Sequence, residues 1–325
     1  MVGRQLLLAS GLILGVSAQA PEKTFYFAHV QTPQGIQEVT NAIRSIGDIR
    51  DVTPDAPKHS LTVKGTEEQI AIAGWLAEGL DNPAAAPATR DLPFSDPRAP
   101  LAQVFYLRHL SSPVELQEVV NAVRSVTDIQ RCFPMNQQKA IVMRAMPEQI
   151  KAADWLLGVL DRPADAAPGE PQEYRLPEGI LDARSGLLLR AAAITHITTA
   201  LGIQELVNGT RSMADLQRFF PIQARRFVVM RGSDEQLALA KWLMQEFDGP
   251  AGTGTKEYRM GVPGSEIVQV SYVNAANLRQ TAVEIQQATR MQHVFPFTVT
   301  GAIAMRGSAA QLSQAATVIQ TKTAK

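Results

Sequence analysis

The chain has 325 residues, 45% of them apolar, with 31 basic and 31 acidic side chains. That length suffices for several small cores, and the balanced charge gives no net pull toward nucleic acid or an anionic membrane. The one cysteine, Cys132, excludes an intramolecular disulfide; in the apolar run from Ile129 to Pro134 it reads as a small buried hydrophobe.

Residues 1–20 read as a secretory signal. Arg4 gives the positive start, Leu6 to Val16 the apolar run, and Ser17-Ala18-Gln19-Ala20 the small-residue end. Cleavage after Ala18 is favoured over cleavage after Ala20, which would place Pro21 beside the scissile bond. The apolar run is too short to span a hydrocarbon core of roughly 30 Å. The mature chain is therefore expected to be periplasmic or secreted, with no transmembrane segment.

From there the sequence repeats itself. Phe25–Pro83 lies on Phe105–Pro163 without a gap, and 23 of the 59 aligned positions are identical. In the first copy Lys23 to Val30 is rich in aromatic and β-branched residues, which suits a strand. Ile36, Val39, Ile43 and Ile46 follow at spacings of three and four, one apolar face of a helix that Gly47 ends. Asp48–Val52 reads as a short strand, Thr53–Pro57 as a turn, Ser60–Lys64 as another strand, and Glu67–Leu80 as a second helix carrying Trp75. Third and fourth copies follow at offsets of 87 and 75 residues, the last without the tryptophan.

The expected fold is α+β: four tandem small βαββα domains, at residues 23–83, 104–163, 187–250 and 266–325. The linkers between them, 84–103, 164–186 and 251–265, are rich in Pro, Ala or Gly. Two linkers carry similar islands, Gln172–Leu176 and Lys256–Met260. Each is either an edge strand of the domain that follows or a linker tyrosine resting on a neighbour.

This order of elements resembles the small periplasmic domains of bacterial secretins, the outer-membrane ring channels of secretion and type IV pilus machines. The third copy carries the pattern most fully: the helix Ala200–Met213, the strand Arg226–Gly232, then Ser233-Asp-Glu-Gln-Leu237 and Trp242 to Asp248. No long glycine-rich, strand-rich segment follows the fourth copy. The resemblance therefore implies the domain type and its protein–protein association, and implies no pore.

Most recurring polar residues have a local explanation. Gln69, Gln149, Gln236 and Gln311 stand where a capping box places them. His29, His109 and His196 occupy one repeat position without a second ligand at metal spacing, so no metal or cofactor is expected. Asp81, Asp161 and Asp248 are expected to shape the exit from the second helix, and Trp75, Trp155 and Trp242 to lie in the core. Lys64, Arg144, Arg231 and Arg306 form a basic stripe too thin for nucleic acid.

Asn41, Arg44, Asn121, Arg124, Asn208 and Arg211 form a recurring polar edge on the first helix, read as a docking edge or as a solvated face. No nucleophile–base pair or phosphate loop recurs, so the chain is read as non-enzymatic. The expected function is protein–protein assembly, with copies of itself or with secretion or pilus envelope components. The alternative is a binding module for peptide or glycan that uses grooves between repeats.

Overall fold

The computed structural model describes residues 20–82, 92–94, 96–110, 112–163, 166–167, 169–179, 186–250, 252–261, 266–274 and 277–323. The signal segment lies outside these residues up to position 19, as does most of the first linker. The chain divides between Glu78 and Gly79 into two compact units.

The first unit contains β1 (Glu22–Tyr26), α1 (Pro33–Gly47), β2 (Asp51–Asp55), β3 (Ser60–Lys64) and most of α2 (Glu67–Asp81). Its antiparallel sheet has the order β1-β3-β2. Helix α1 starts because the Thr32 hydroxyl accepts the Gly35 N–H at 3.1 Å and Pro33 fits the first turn. It stops at Asp48, which adopts the left-handed conformation. The stripe Ile36, Val39, Ile43 and Ile46 is fully buried, as are Leu61 and Val63 from the central strand. Thr62 points the other way and meets Thr24 across the strands, hydroxyl to hydroxyl at 2.9 Å. This is the alternation of a sheet with one core face.

One expected turn is in fact strand: β2 runs through Pro54 to Asp55, and the turn falls at 56–59. Proline is tolerated there because β2 is the outer strand of its sheet, where its missing N–H leaves no ladder bond unmade. Pro134, Pro221 and Pro296 sit at the matching position of the outer strands described next.

The second unit contains three four-stranded antiparallel sheets. The first has β4 (Leu92–Pro93), β5 (Leu101–Tyr106), β6 (Arg131–Met135) and β7 (Ala140–Ala145), with helices α3 (Pro113–Thr127) and α4 (Pro147–Leu160). The second has β8 (Gln172–Arg175), β9 (Leu188–Ala193), β10 (Arg218–Ile222) and β11 (Phe227–Gly232), with α5 (Ala200–Met213) and α6 (Asp234–Phe247). The third has β12 (Thr255–Arg259), β13 (Ile267–Tyr272), β14 (His293–Phe297) and β15 (Ala302–Gly307), with α7 (Leu278–Thr289) and α8 (Ala309–Thr323). The orders are β4-β5-β7-β6, β8-β9-β11-β10 and β12-β13-β15-β14.

The linkers thus contain structure. Strands β4, β8 and β12 each add an edge to the sheet that follows, and β5 begins at Leu101, three residues inside the expected linker. Both readings of the islands hold together. Tyr174 lies on β8, yet its ring packs on Trp155 of the preceding copy with centroids 5.5 Å apart. Tyr258 on β12 does the same to Trp242, also at 5.5 Å. The tryptophans are accordingly half-buried at seams, a correction to the expectation of core positions. Trp75 is half-buried as well.

The sheets of the third and fourth copies are covered on both faces. Leu188, Ala192, Val228 and Met230 pack with their own copy's helices, while Leu189, Ala191 and Val229 join the core of the second copy. Val268, Val270, Ala302 and Ala304 likewise join the core of the third. Two-sided burial removes the alternation a one-sided sheet would show, so β11 reads Phe-Val-Val-Met-Arg-Gly without a break.

Candidate docking interface

The junctions inside the second unit are built from the first helix of one copy and the outer strand of the next. Helix α3 lies against β10 and β11, and α5 against β14 and β15. The two junctions use the same residue positions. Arg231 donates to the Val126 carbonyl at 2.8 Å and to Asp128 Oδ2 at 2.8 Å. Arg306 stands 75 residues on and donates to the Met213 carbonyl at 2.9 Å and to Asp215 Oδ2 at 2.5 Å. Asp128 also pairs with Arg218 at 2.9 Å.

Each aspartate is held by the helix it ends. Asp128 and Asp215 have φ of 56° and 51°, the left-handed region that aspartate tolerates better than most residues. One residue thus terminates the helix and presents a carboxylate to the neighbouring arginine. The Arg231 side chain is fully buried, so removing its carboxylate partner strands a desolvated charge and costs far more than breaking a surface ion pair.

A second acidic position adds to each junction. Glu118 accepts the Ala224 N–H at 3.0 Å, and Glu115 pairs with Arg225 at 2.7 Å. Glu205, buried, accepts the Thr298 N–H at 2.8 Å and the Thr298 hydroxyl at 2.7 Å. Between these polar ends the second junction closes on aromatic rings. Phe297 stacks on Phe247 with centroids 3.4 Å apart. Gly209 lets them in: a Cβ there would lie 2.8 Å from Phe297 Cε2 and 2.9 Å from Phe295 Cδ1.

The expected docking edge is divided by the structure. Asn41, Asn121 and Asn208 each accept the side-chain amide of the residue four before, Gln37, Gln117 and Gln204, at 3.0 Å. Asn41 and Asn208 are exposed and Asn121 is half-buried. The arginines turn inward to their own copy. Arg44 donates to the Val52 carbonyl at 2.5 Å, Arg211 to that of Phe219, and Arg124 lies over the Phe133 ring at 5.3 Å. The residues of the basic stripe take different parts, and Arg231 and Arg306 are staples between copies. Lys64 pairs with Glu22 at 3.1 Å, and Arg144 lies 3.8 Å over the Phe94 ring.

The glutamines do more than cap. Gln236 Oε1 accepts the Ser233 N–H at 3.0 Å while its Nε2 donates to the Asp215 carbonyl at 2.9 Å. Gln69, Gln149 and Gln311 tie the two helices of their copies in the same way, through the carbonyls of Asp48, Thr127 and Thr289. Asp161 accepts the N–H groups of Arg108, His109 and Leu110 at 2.7, 2.7 and 2.9 Å, and Asp248 those of Thr195, His196 and Ile197. His109 and His196 thus meet these carboxylates through their backbone N–H groups, and their side chains are exposed. Among the described residues no group of three His, Cys, Asp or Glu is placed to hold a metal, and no helix is long and apolar enough to cross a membrane.

The junction acids were missed in the sequence, although Asp128 and Asp215 recur there at the repeat offset of 87. Their recurrence, with Arg231 and Arg306 recurring one copy further on, is the signal that marks the positions.

No family model and no curated protein matches the chain. Solved structures similar to it include Aeromonas hydrophila ExeD, at 12% identity and a TM-score of 0.18 over 78% of this chain and 43% of that one. The ETEC pilotin–secretin complex AspS–GspD matches at 11% identity and a TM-score of 0.17 over 93% of this chain and 54% of that one. The N-terminal domain of the secretin XcpQ from Pseudomonas aeruginosa matches at 12% identity and a TM-score of 0.23 over 66% and 95%. The chain thus spans about half the length of the first two.

Proposed function

We propose that this chain is a non-enzymatic, exported protein that works by association in the periplasm, as an accessory of a secretin-type secretion or type IV pilus assembly. One observation carries the reading. The same helix-to-strand docking, with the same arginine-to-aspartate staple, occurs at two successive junctions. A small α/β copy of this type therefore has a surface made to receive another. Asn41, Asn121 and Asn208 bond within their own helices and are the edge offered to a partner, either another copy of the chain or an envelope component.

Light scattering on the chain from Gln19 onward, with crosslinking in cell envelopes, tests this. The expected outcome is a concentration-dependent oligomer or a recovered envelope partner. A monomer at every concentration, with no crosslinked partner, overturns it.

A second reading, a binding module for peptide or glycan at a junction between copies, is favoured by a cavity of about 460 Å³ between the second and third. That volume lies within the range of small-molecule sites, about 300–1,000 Å³.

A further inference from the structure

The cavity has a cause that the repeat makes visible. Tyr106, Ala193 and Tyr272 end the first strand of the second, third and fourth copies and share one register position. Tyr272 reaches back to the preceding copy. Its hydroxyl donates to the Glu246 carbonyl at 2.9 Å near the end of α6, and its ring lies against the linker at Gly252. Tyr106 donates in the same way to the Gly79 carbonyl. The third copy has Ala193 instead, and a cavity lies beside it. Its walls include Leu160 at the end of α4, the linker at Pro163 and Ala166, and Ala193 itself.

Two further features give the space a chemistry. Opposite Ala193 stands Phe227, where the second and fourth copies have Ala140 and Ala302. A half-buried aromatic ring thus forms one wall. The rim carries Arg162, Arg225 and Arg226, and no carboxylate is among the described residues that line the cavity. Arg225 is spent: it pairs with Glu115 at 2.7 Å and donates to the Arg162 carbonyl at 2.9 Å, which fixes that stretch of linker. Arg162 makes its bond to a neutral carbonyl, that of Ala167. Arg226 is exposed, held in the left-handed conformation at the turn before β11. Two cationic charges thus face a cavity with an aromatic wall. A second cavity of about 370 Å³ also touches Ala193, but Glu170, Asp248, Arg190 and Lys241 line it together, so it favours neither sign of charge.

We propose that the larger cavity binds the free C-terminus of a peptide ending in an aromatic residue, the ring taking the vacated tyrosine position against Phe227 and the carboxylate meeting Arg162 and Arg226. Ring and carboxylate leave the same terminal residue, as the adjacency of hole and guanidinium groups requires. The proposal rests on the binding-module reading and names its ligand.

The test uses the whole mature chain and the peptide Gly-Gly-Ser-Phe, labelled at its N-terminus with fluorescein, by fluorescence polarisation. The free acid is expected to bind saturably, and its C-terminal amide about tenfold or more weakly, the loss of one charge-assisted pair. Ala193→Tyr fills the cavity and abolishes binding; Arg162→Ala with Arg226→Ala weakens it at least as much as the amide does. Thermal unfolding of each variant confirms that it folds, and the arginine pair covers the case in which the introduced ring collides with Phe227. Binding that survives Ala193→Tyr in a folded chain, or acid and amide that bind alike, overturns the aromatic-carboxylate site while leaving a binding module standing. No saturable binding of this peptide overturns the site, and no binding of varied peptides and glycans removes the binding-module reading as well.

Discussion

Asp128 is the residue on which the junction between the second and third copies depends most. It faces Arg231, whose side chain is fully buried, and Arg218, which is not. Removing the carboxylate leaves a buried guanidinium with one carbonyl partner. Asp128→Ala is expected to cost about 3 kcal/mol, and Arg231→Met on that background to recover part of it, because an apolar side chain needs no counter-charge. Urea unfolding followed by the emission of Trp155 and Trp242 measures both. Cys132 makes a second residue-scale prediction. Burial pushes its thiol up to about 12. The thiol stays protonated through pH 8, so Ellman's reagent should leave the folded chain unlabelled and label it once on unfolding. Rapid labelling of the folded chain would contradict this burial.

At the scale of elements, the helix faces are specialised. On α5 the small residue Gly209 admits the β14 phenylalanines, and a methyl group there meets rings that cannot retreat. Gly209→Ala is expected to cost about 1–3 kcal/mol by overpacking, with faster hydrogen exchange in β14 and β15 than in β7. The linker strands β8 and β12 bind in two directions at once, by backbone pairing to the following sheet and by a tyrosine ring to the preceding tryptophan. Tyr174→Ala removes the second tie. It should cost about 0.5–1.5 kcal/mol beyond lost area and shift Trp155 emission to the red. The recurring asparagines behave otherwise, since their bonds are local i to i+4 pairs. Replacing Asn41, Asn121 and Asn208 by Ala should change stability by about 0.5 kcal/mol or less, while removing envelope crosslinks if this edge carries the partner.

At the scale of the whole chain, the sheets of residues 79–325 share cores. Leu189, Ala191 and Val229 belong to the third copy by sequence and to the second copy's core by packing. Such copies are not independent beads. The amides of β7, β11 and β15 are expected to exchange together in one cooperative opening. Three separate protection levels, one per sheet, would show that the junctions contribute little. The fused cores also explain how short copies obtain enough buried apolar area, which is scarce in domains near 60 residues.

The sequence by itself determined the element order, because apolar spacing of three and four, capping residues and the register of the copies are local properties of the chain. It placed the helices and the cores of each copy well. It misplaced the β2 turn, where a proline on an outer strand looks like a breaker until the sheet order is known. It set Trp155 and Trp242 in cores although they lie at seams, because their tyrosine partners sit in stretches whose composition reads as linker. Only the tertiary structure decided how the copies join. The junction pairs Asp128 with Arg231, and Glu205 with Thr298, across about a hundred residues, and no local pattern encodes a partner at that distance. The hole at Ala193 belongs to both levels. The missing tyrosine is legible once the copies are aligned, but that its absence opens a cavity under two arginines depends on how the neighbouring helix end and linker close around it.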